Sequence, residues 1–189
     1  MSHAGRSPES RVAAVLGHPV EHSLSPTLHG AAYAALGLTG WSYQRHDVTE
    51  ETLEGFLAGV DSSWAGLSLT MPLKQAVIPL LDHVEPLAEA VGAVNTVLVQ
   101  AARSTRLLVG ANTDVAGIVA ALREAAGAVG IEGPAVILGA GATAASAVAA
   151  LAELGQVEPI VFARSAARAG AVLRAGRRTG IRVRLRAWD

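Results

Sequence analysis

The stretch Ala135-Val136-Ile137-Leu138-Gly139-Ala140-Gly141-Ala142-Thr143-Ala144 decides the fold. A short apolar run suited to a buried strand enters a glycine turn and then opens an Ala-rich helical stretch, which is where a dinucleotide fingerprint belongs. Gly139 permits the tight turn, Gly141 lets the backbone approach a pyrophosphate, and Ala144 is small enough for close helix-to-strand packing. The turn residues Gly139, Ala140, Gly141, Ala142 and Thr143 thus become candidate cofactor ligands, with backbone N–H groups at a helix N-terminus facing the anion. A glycine turn without a ligand is the alternative reading of the same residues.

Downstream, Ala142 to Leu154, Pro159 to Ala163, Ala166 to Thr179 and Arg182 to Leu185 read as helix, strand, helix and strand. This is half of a doubly wound, Rossmann-like domain, and a six-stranded domain of that type is incomplete here because only about three strands follow Gly133. NAD binders carry an acidic residue at the end of the second strand. Here that end is Ala163-Arg164, and Glu158 precedes the strand, at the wrong edge of the sheet. Arg164, Ser165 and Arg168 instead suit a 2′-phosphate, which favours NADP; solvated arginines at a helix start are the plainer reading.

Upstream, Arg11 to Leu16, Ser42 to Val48, Gly66 to Leu69 and Ala93 to Val99 read as strands, and Leu107 to Gly110 is expected to pair nearby. Pro26 to Leu36, a stretch capped by Thr49 and ending near Ala58, and Glu85 to Val91 read as helices. The alternation predicts an α/β, mostly parallel sheet. Asp114 is expected to cap a helix from Val115 to Ala126, followed by a connector to Gly133. The expected division is therefore residues 1–114 as one domain and 115–189 as a partial cofactor domain.

Of 189 residues, 51% are hydrophobic and 16% charged, which excludes a disordered chain. The formal net charge of -1 supplies no cationic field for nucleic acid, and the absence of cysteine removes disulfides, thiolate metal sites and a cysteine nucleophile. Met1 to Ser10 lacks a signal peptide's layout, so a cytoplasmic location is expected. Gly133 to Ala152 reaches membrane-spanning length without charge, but Pro134, Gly139 and Gly141 interrupt it, so no membrane partner is expected.

Two polar stretches lie where a parallel sheet binds ligands. In Gly17-His18-Pro19-Val20-Glu21-His22-Ser23-Leu24-Ser25-Pro26, Ser23 and Ser25 flank one leucine. In an extended segment they point the same way and offer two hydroxyls to a polyhydroxylated or carboxylated molecule; they serve equally as caps of the next helix. His18 and His22 do not make a metal site, because Pro19 bars the helix that would align them. Thr70-Met71-Pro72-Leu73-Lys74 places a cation at a strand's carboxyl edge. Lys74 and Asp114 could share a proton with a substrate hydroxyl; an exposed lysine and a capping aspartate are the ordinary alternatives.

These stretches together resemble shikimate dehydrogenase, from about Val12 to Arg168. The resemblance rests on Gly17-His18-Pro19 with His22-Ser23-Leu24-Ser25-Pro26 and His29, on Gly66-Leu67-Ser68-Leu69-Thr70-Met71-Pro72-Leu73-Lys74, on Gly92-Ala93-Val94-Asn95-Thr96, and on Gly110-Ala111-Asn112-Thr113-Asp114-Val115-Ala116-Gly117. It implies that Ser23, Ser25, Thr70, Lys74, Asn95 and Asp114 hold shikimate, with Lys74 and Asp114 as the catalytic pair. The implied reaction is reversible NADPH-dependent reduction of 3-dehydroshikimate to shikimate, a step towards chorismate and the aromatic amino acids. Quinate oxidation and a shikimate-binding regulator or scaffold without turnover are the rivals. Gly30, Ser68 and Ala163 stand where the family usually has asparagine. The family's C-terminal part, which supplies the nicotinamide side of the cofactor site, is expected to be lacking, so the 189 residues are expected to bind shikimate weakly without useful turnover. An unfinished sheet flank also makes a homodimer an expected state.

Overall fold

The computed structural model describes residues 10–102, 105–127 and 133–188. The expectation about Met1 to Ser10 falls almost wholly outside them, as does most of the connector before Gly133. Contacts divide the chain into two compact units. The first runs to His83 and adds Thr96–Val109; the second comprises Val84–Asn95 and everything from Gly110. This is a grouping by packing, and it places Val84–Asn95 and Gly110–Asp114 with the C-terminal part of the chain.

The N-terminal sheet has six strands, β1 (Arg11–Gly17), β2 (Trp41–Asp47), β3 (Trp64–Leu69), β4 (His83–Val84), β5 (Thr96–Ala102) and β6 (Thr105–Ala111), in the order β2-β1-β3-β5-β6-β4. It is parallel-rich: β1 pairs in parallel with β2 and β3, through registers such as Ala13↔Tyr43 and Leu16↔Leu69. β5 instead runs antiparallel to β3, with Leu67 opposite Val97. Helices α1 (Ser25–Ala35), α2 (Glu50–Ala58) and the short α3 (Leu73–Ala76) connect these strands. Thr49 takes the N-cap position of α2 as expected, its N–H donating to Thr52 Oγ1 at 3.0 Å, and Glu50 and Glu51 in the first turn complement the helix dipole. α2 buries Leu53 and Leu57, and a fully buried leucine contributes about 1.5–3 kcal/mol.

In the second unit, α4 (Pro86–Val91) and α5 (Asp114–Ala126) precede β7 (Val136–Leu138), α6 (Ala142–Glu153), β8 (Ile160–Ala163), α7 (Gly170–Thr179) and β9 (Arg184–Ala187). The three strands form a parallel sheet in the order β7-β8-β9. Ala144, Ala145, Ala149 and Ala150 of α6 are buried, and their small side chains let α5 and α7 pack closely on that helix. Val115, Val119, Val148, Val161 and Val172 complete the core of this unit.

Four local expectations need correction. The helix predicted over Ala166 to Thr179 is a 3-10 turn, Ala166–Ala169, followed by α7. The strand predicted from Ala93 begins at Thr96. Ser23 and Ser25 do not share an extended segment: Leu24 is already helical at φ -87, ψ -2, and Ser25 is the first residue of α1. Asp114 is not an N-cap but the first residue of α5; Thr113 holds the N-cap position, and the Asn112 side chain accepts the Val115 N–H at 3.2 Å. Among the described residues, no helix is long and apolar enough to cross a membrane.

Candidate functional site

In the first unit the loop after β1 and the loop after β3 lie against each other. His18 N–H donates to the Met71 carbonyl at 2.9 Å, and Thr70 N–H to the Leu16 carbonyl at 2.9 Å. Gly17 is required at this approach: a Cβ there would stand 2.3 Å from Thr70 Cγ2 and 2.9 Å from the Met71 carbonyl oxygen. Both His18-Pro19 and Met71-Pro72 are cis peptides. The two backbone hydrogen bonds hold half-buried Thr70 beside the loop that follows β1, and half-buried Lys74 follows one residue into α3.

Ser23 Oγ accepts the Ser25 N–H at 3.3 Å, so one of the two hydroxyls serves the helix start. Ser25 faces a cluster that sequence reasoning missed. The Tyr43 hydroxyl donates to Ser68 Oγ at 2.8 Å and is also hydrogen-bonded to the Ser25 side chain. His29 Nδ1–H donates to the Ser25 carbonyl at 2.8 Å, and its ring stacks on Tyr43 with centroids 3.9 Å apart. Burial pushes the Tyr43 phenol above its ordinary value of 10.0, while the hydrogen bonds with Ser68 and Ser25 pull it back in part. Tyr43 remains a neutral hydroxyl beside two serine hydroxyls at neutral pH. Its signal in the sequence was the aromatic–polar alternation Trp41-Ser42-Tyr43-Gln44, and the structure half-buries both aromatics.

In the second unit, Asn95 and Asp114 meet. Asn95 Nδ2 donates to Asp114 Oδ1 at 2.7 Å and to Thr113 Oγ1 at 2.9 Å, and Asn95 Oδ1 accepts the Thr113 N–H at 2.9 Å. The Asn95 amide thus orients the Asp114 carboxyl group, and the Thr113 backbone and hydroxyl in turn hold the amide. Beneath them lies Asn112, 6% exposed, whose Nδ2 donates to the Ala93 carbonyl at 2.8 Å and to Ser146 Oγ at 3.1 Å. The sequence reading assigned Asn112 no role; its place in the Asn112-Thr113-Asp114 break was the available signal.

The glycine turn lies between β7 and α6. Gly139 has φ +106, a conformation that side chains avoid, and its N–H donates to the Phe162 carbonyl at 2.8 Å, joining the turn to β8. A Cβ at Gly139 or Gly141 would meet nothing within 4 Å, and no side chain caps the start of α6. Open backbone on a twelve-residue helix with an uncapped N-terminus fits a dinucleotide pyrophosphate. Arg164, exposed, and Ser165 follow β8 at the same carboxyl edge. The backbone of Arg168 lies in the 3-10 turn, and its side chain lies outside the described residues. His18, considered for a metal, donates Nδ1–H to Asp47 Oδ1 at 2.7 Å, and among the described residues no group of three or more His, Cys, Asp or Glu could hold a metal ion.

Fold and edges together define the class: an α/β chain that joins a parallel-rich sheet to part of a dinucleotide-binding fold. Comparison with known proteins narrows it. Residues 15–97 match the family described as the shikimate dehydrogenase substrate binding domain. The NADP-dependent shikimate dehydrogenase of Thermus thermophilus is 46% identical over 156 residues, covering 82% of this chain and 56% of that protein. The crystal structure of Mycobacterium tuberculosis shikimate dehydrogenase superposes with a TM-score of 0.80 at 37% identity, over 95% of this chain and 65% of that one. Shikimate 5-dehydrogenase from Thermus thermophilus, solved in complex with NADP(H) and shikimate, superposes with a TM-score of 0.76 at 41% identity, over 91% of this chain and 62% of that one. The chain is thus similar to the shikimate dehydrogenases, the resemblance its ordered motifs carry, and spans little more than half the length of the curated relatives it matches.

Proposed function

We propose that the protein carrying this chain is a shikimate dehydrogenase, which reversibly reduces 3-dehydroshikimate to shikimate with NADPH. The observation that carries the reading is the Asn95–Asp114 contact at 2.7 Å. Two polar residues from separate motifs come together as an oriented amide–carboxylate pair, the arrangement needed to hold a substrate hydroxyl in one geometry. In this reading Ser23, Ser25, Thr70, Lys74, Asn95 and Asp114 bind the carboxylate and hydroxyls of shikimate. Within the first unit, the hydroxyls of Tyr43 and Ser68 stand beside Ser25.

Bound NADPH supplies the hydride that reaches the ring carbonyl. Lys74 supplies the proton to the developing alkoxide, and Asp114 orients the hydroxyl that results. The backbone of Gly139, Ala140, Gly141, Ala142 and Thr143 receives the pyrophosphate, while Arg164, Ser165 and Arg168 hold the 2′-phosphate. The reading takes residues 1–114 as the substrate and catalytic domain and 115–189 as the partial NADP domain. It places the protein in the cytoplasm, acting on a small molecule rather than on nucleic acid or a membrane, and it admits a homodimer.

The test is a coupled measurement in the full-length protein that contains this chain. Shikimate and quinate are offered in turn with NADP, and NADPH formation is followed. Shikimate oxidation that falls about 100- to 10,000-fold in Lys74→Ala, with NADP affinity unchanged, is the expected result. Turnover of quinate alone overturns the substrate assignment, and a loss below tenfold demotes Lys74 to a binding role.

A further inference from the structure

The carboxyl edge of the small parallel sheet holds an exposed tryptophan to which the proposed function gives no role. Trp188 immediately follows β9, and its N–H donates to the Ala163 carbonyl at 3.2 Å. Ala163 and Ala187 are register partners on β8 and β9. The next residue on each strand, Arg164 and Trp188, therefore leaves the sheet side by side, one strand spacing of about 4.8 Å apart. On the other side of Arg164 stands the glycine turn, joined to β8 through the Gly139–Phe162 hydrogen bond. Glycine turn, arginine and indole thus form a row along one edge.

Trp188 is 50% exposed, so a large apolar ring faces solvent at the edge where this fold takes ligands. In a nucleotide with a 2′-phosphate, the base and that phosphate hang from adjacent carbons of one ribose. The side chain that meets the base must then neighbour the one that meets the phosphate. We infer that Trp188 stacks on the adenine of the dinucleotide whose 2′-phosphate Arg164 holds. The inference rests on the NADP reading and adds a specificity contact to it: a flat purine face, recognised by an indole face without a hydrogen-bond code.

The probe is adenosine 2′,5′-bisphosphate, which carries the adenine and the 2′-phosphate but no nicotinamide, titrated by calorimetry against the parent, Arg164→Ala, Trp188→Ala and Trp188→Phe. The expected result for Trp188→Ala is about 5- to 100-fold weaker binding, with Trp188→Phe, which keeps a stacking ring, weakened less than Trp188→Ala. Binding should also quench indole emission in the parent and not in Trp188→Phe, since Trp41 and Trp64 belong to the other unit. Melting temperatures equal to the parent's confirm that the half-exposed site tolerates both changes. Binding that depends on Arg164 but is unchanged in Trp188→Ala overturns the adenine contact and leaves the NADP reading standing. Parent binding no tighter than that of adenosine 5′-monophosphate, and indifferent to Arg164→Ala, overturns the NADP reading and the inference with it.

Discussion

Asn112 donates its Nδ2 to Ser146 Oγ at 3.1 Å, and both side chains are buried. The same amide holds the Ala93 carbonyl, two residues before Asn95, and its oxygen caps the Val115 N–H, one residue after Asp114. One buried side chain therefore ties the Asn95–Asp114 pair to the second turn of α6, behind the glycine turn. Asn112→Ala takes the side-chain partner from the Ala93 carbonyl and the Val115 N–H, each costing about 1–3 kcal/mol if left unsatisfied, and leaves Ser146 its bond to the Ala142 carbonyl, whereas Ser146→Ala removes only one arm. Urea unfolding should show Asn112→Ala as much the more destabilised. The double variant should fall short of the sum of the singles, because the deleted bond is shared. Additive effects would show that the bond carries no energy.

His18 and Asp47 give the serine-bearing loop a pH dependence. The hydrogen bond that His18 donates to Asp47, and then the Asp47 charge, hold the His18 imidazole above its ordinary 6.5 against desolvation, with smaller raising effects from Glu21 and Glu51. A folded-state value above the unfolded one means that this contribution to stability is fully present below about pH 6.5. It is lost as pH rises through the raised value. A ring-proton NMR titration should place the His18 midpoint above 6.5 and move it down in Asp47→Asn. A midpoint that ignores Asp47→Asn would refute the pairing.

The hydroxyl cluster predicts a different titration. Both tyrosines, Tyr33 and Tyr43, are held above the ordinary 10.0 by burial, so the folded protein should show no phenol ionising at or below that value. Tyr43→Phe should delete one of the two high transitions and cost about 0.5–1.5 kcal/mol through the lost bond to Ser68. A normal phenol transition in the folded parent would contradict the packing around His29 and Ser25.

What was legible in the sequence followed from local chemistry. Apolar runs and turn residues marked the strands and most helices, as at Arg11–Gly17, Glu50–Ala58 and Ala142–Glu153, because period and punctuation are properties of neighbouring residues. The glycine turn was legible for the same reason. Long-range partners were not. Tyr43 reaches Ser68 across 25 residues, and Asn112 reaches Ser146 across 34, through the pairing of elements that no local pattern encodes. Asp114 was read as a cap because aspartate at a helix start usually is one; here Asn112 caps and Asn95 binds the carboxylate. Of the two readings of the serine pair, the extended one failed and the helix-start one held for Ser23, since Pro26 fits the first turn whether that turn begins at Ser25 or later.

Gly17 and Gly141 should answer oppositely to the same substitution. At Gly17 an added Cβ would lie 2.3 Å from Thr70 Cγ2 and 2.9 Å from the Met71 carbonyl, so the two loops must separate. Overpacking of that kind costs about 1–3 kcal/mol, and it displaces Thr70 from the serine-bearing loop. At Gly141 the backbone, φ -83 and ψ -169, accepts alanine, and the new Cβ meets nothing within 4 Å, so the stability cost should stay under about 1 kcal/mol. The methyl group would nevertheless occupy the face that a pyrophosphate must approach, and NADP binding should weaken about tenfold or more. Thermal unfolding and NADP calorimetry on both variants separate the two cases: Gly17→Ala should lower the melting temperature and leave NADP affinity alone, and Gly141→Ala should do the reverse. Undiminished NADP binding by Gly141→Ala would mean that the glycine turn is a turn and nothing more.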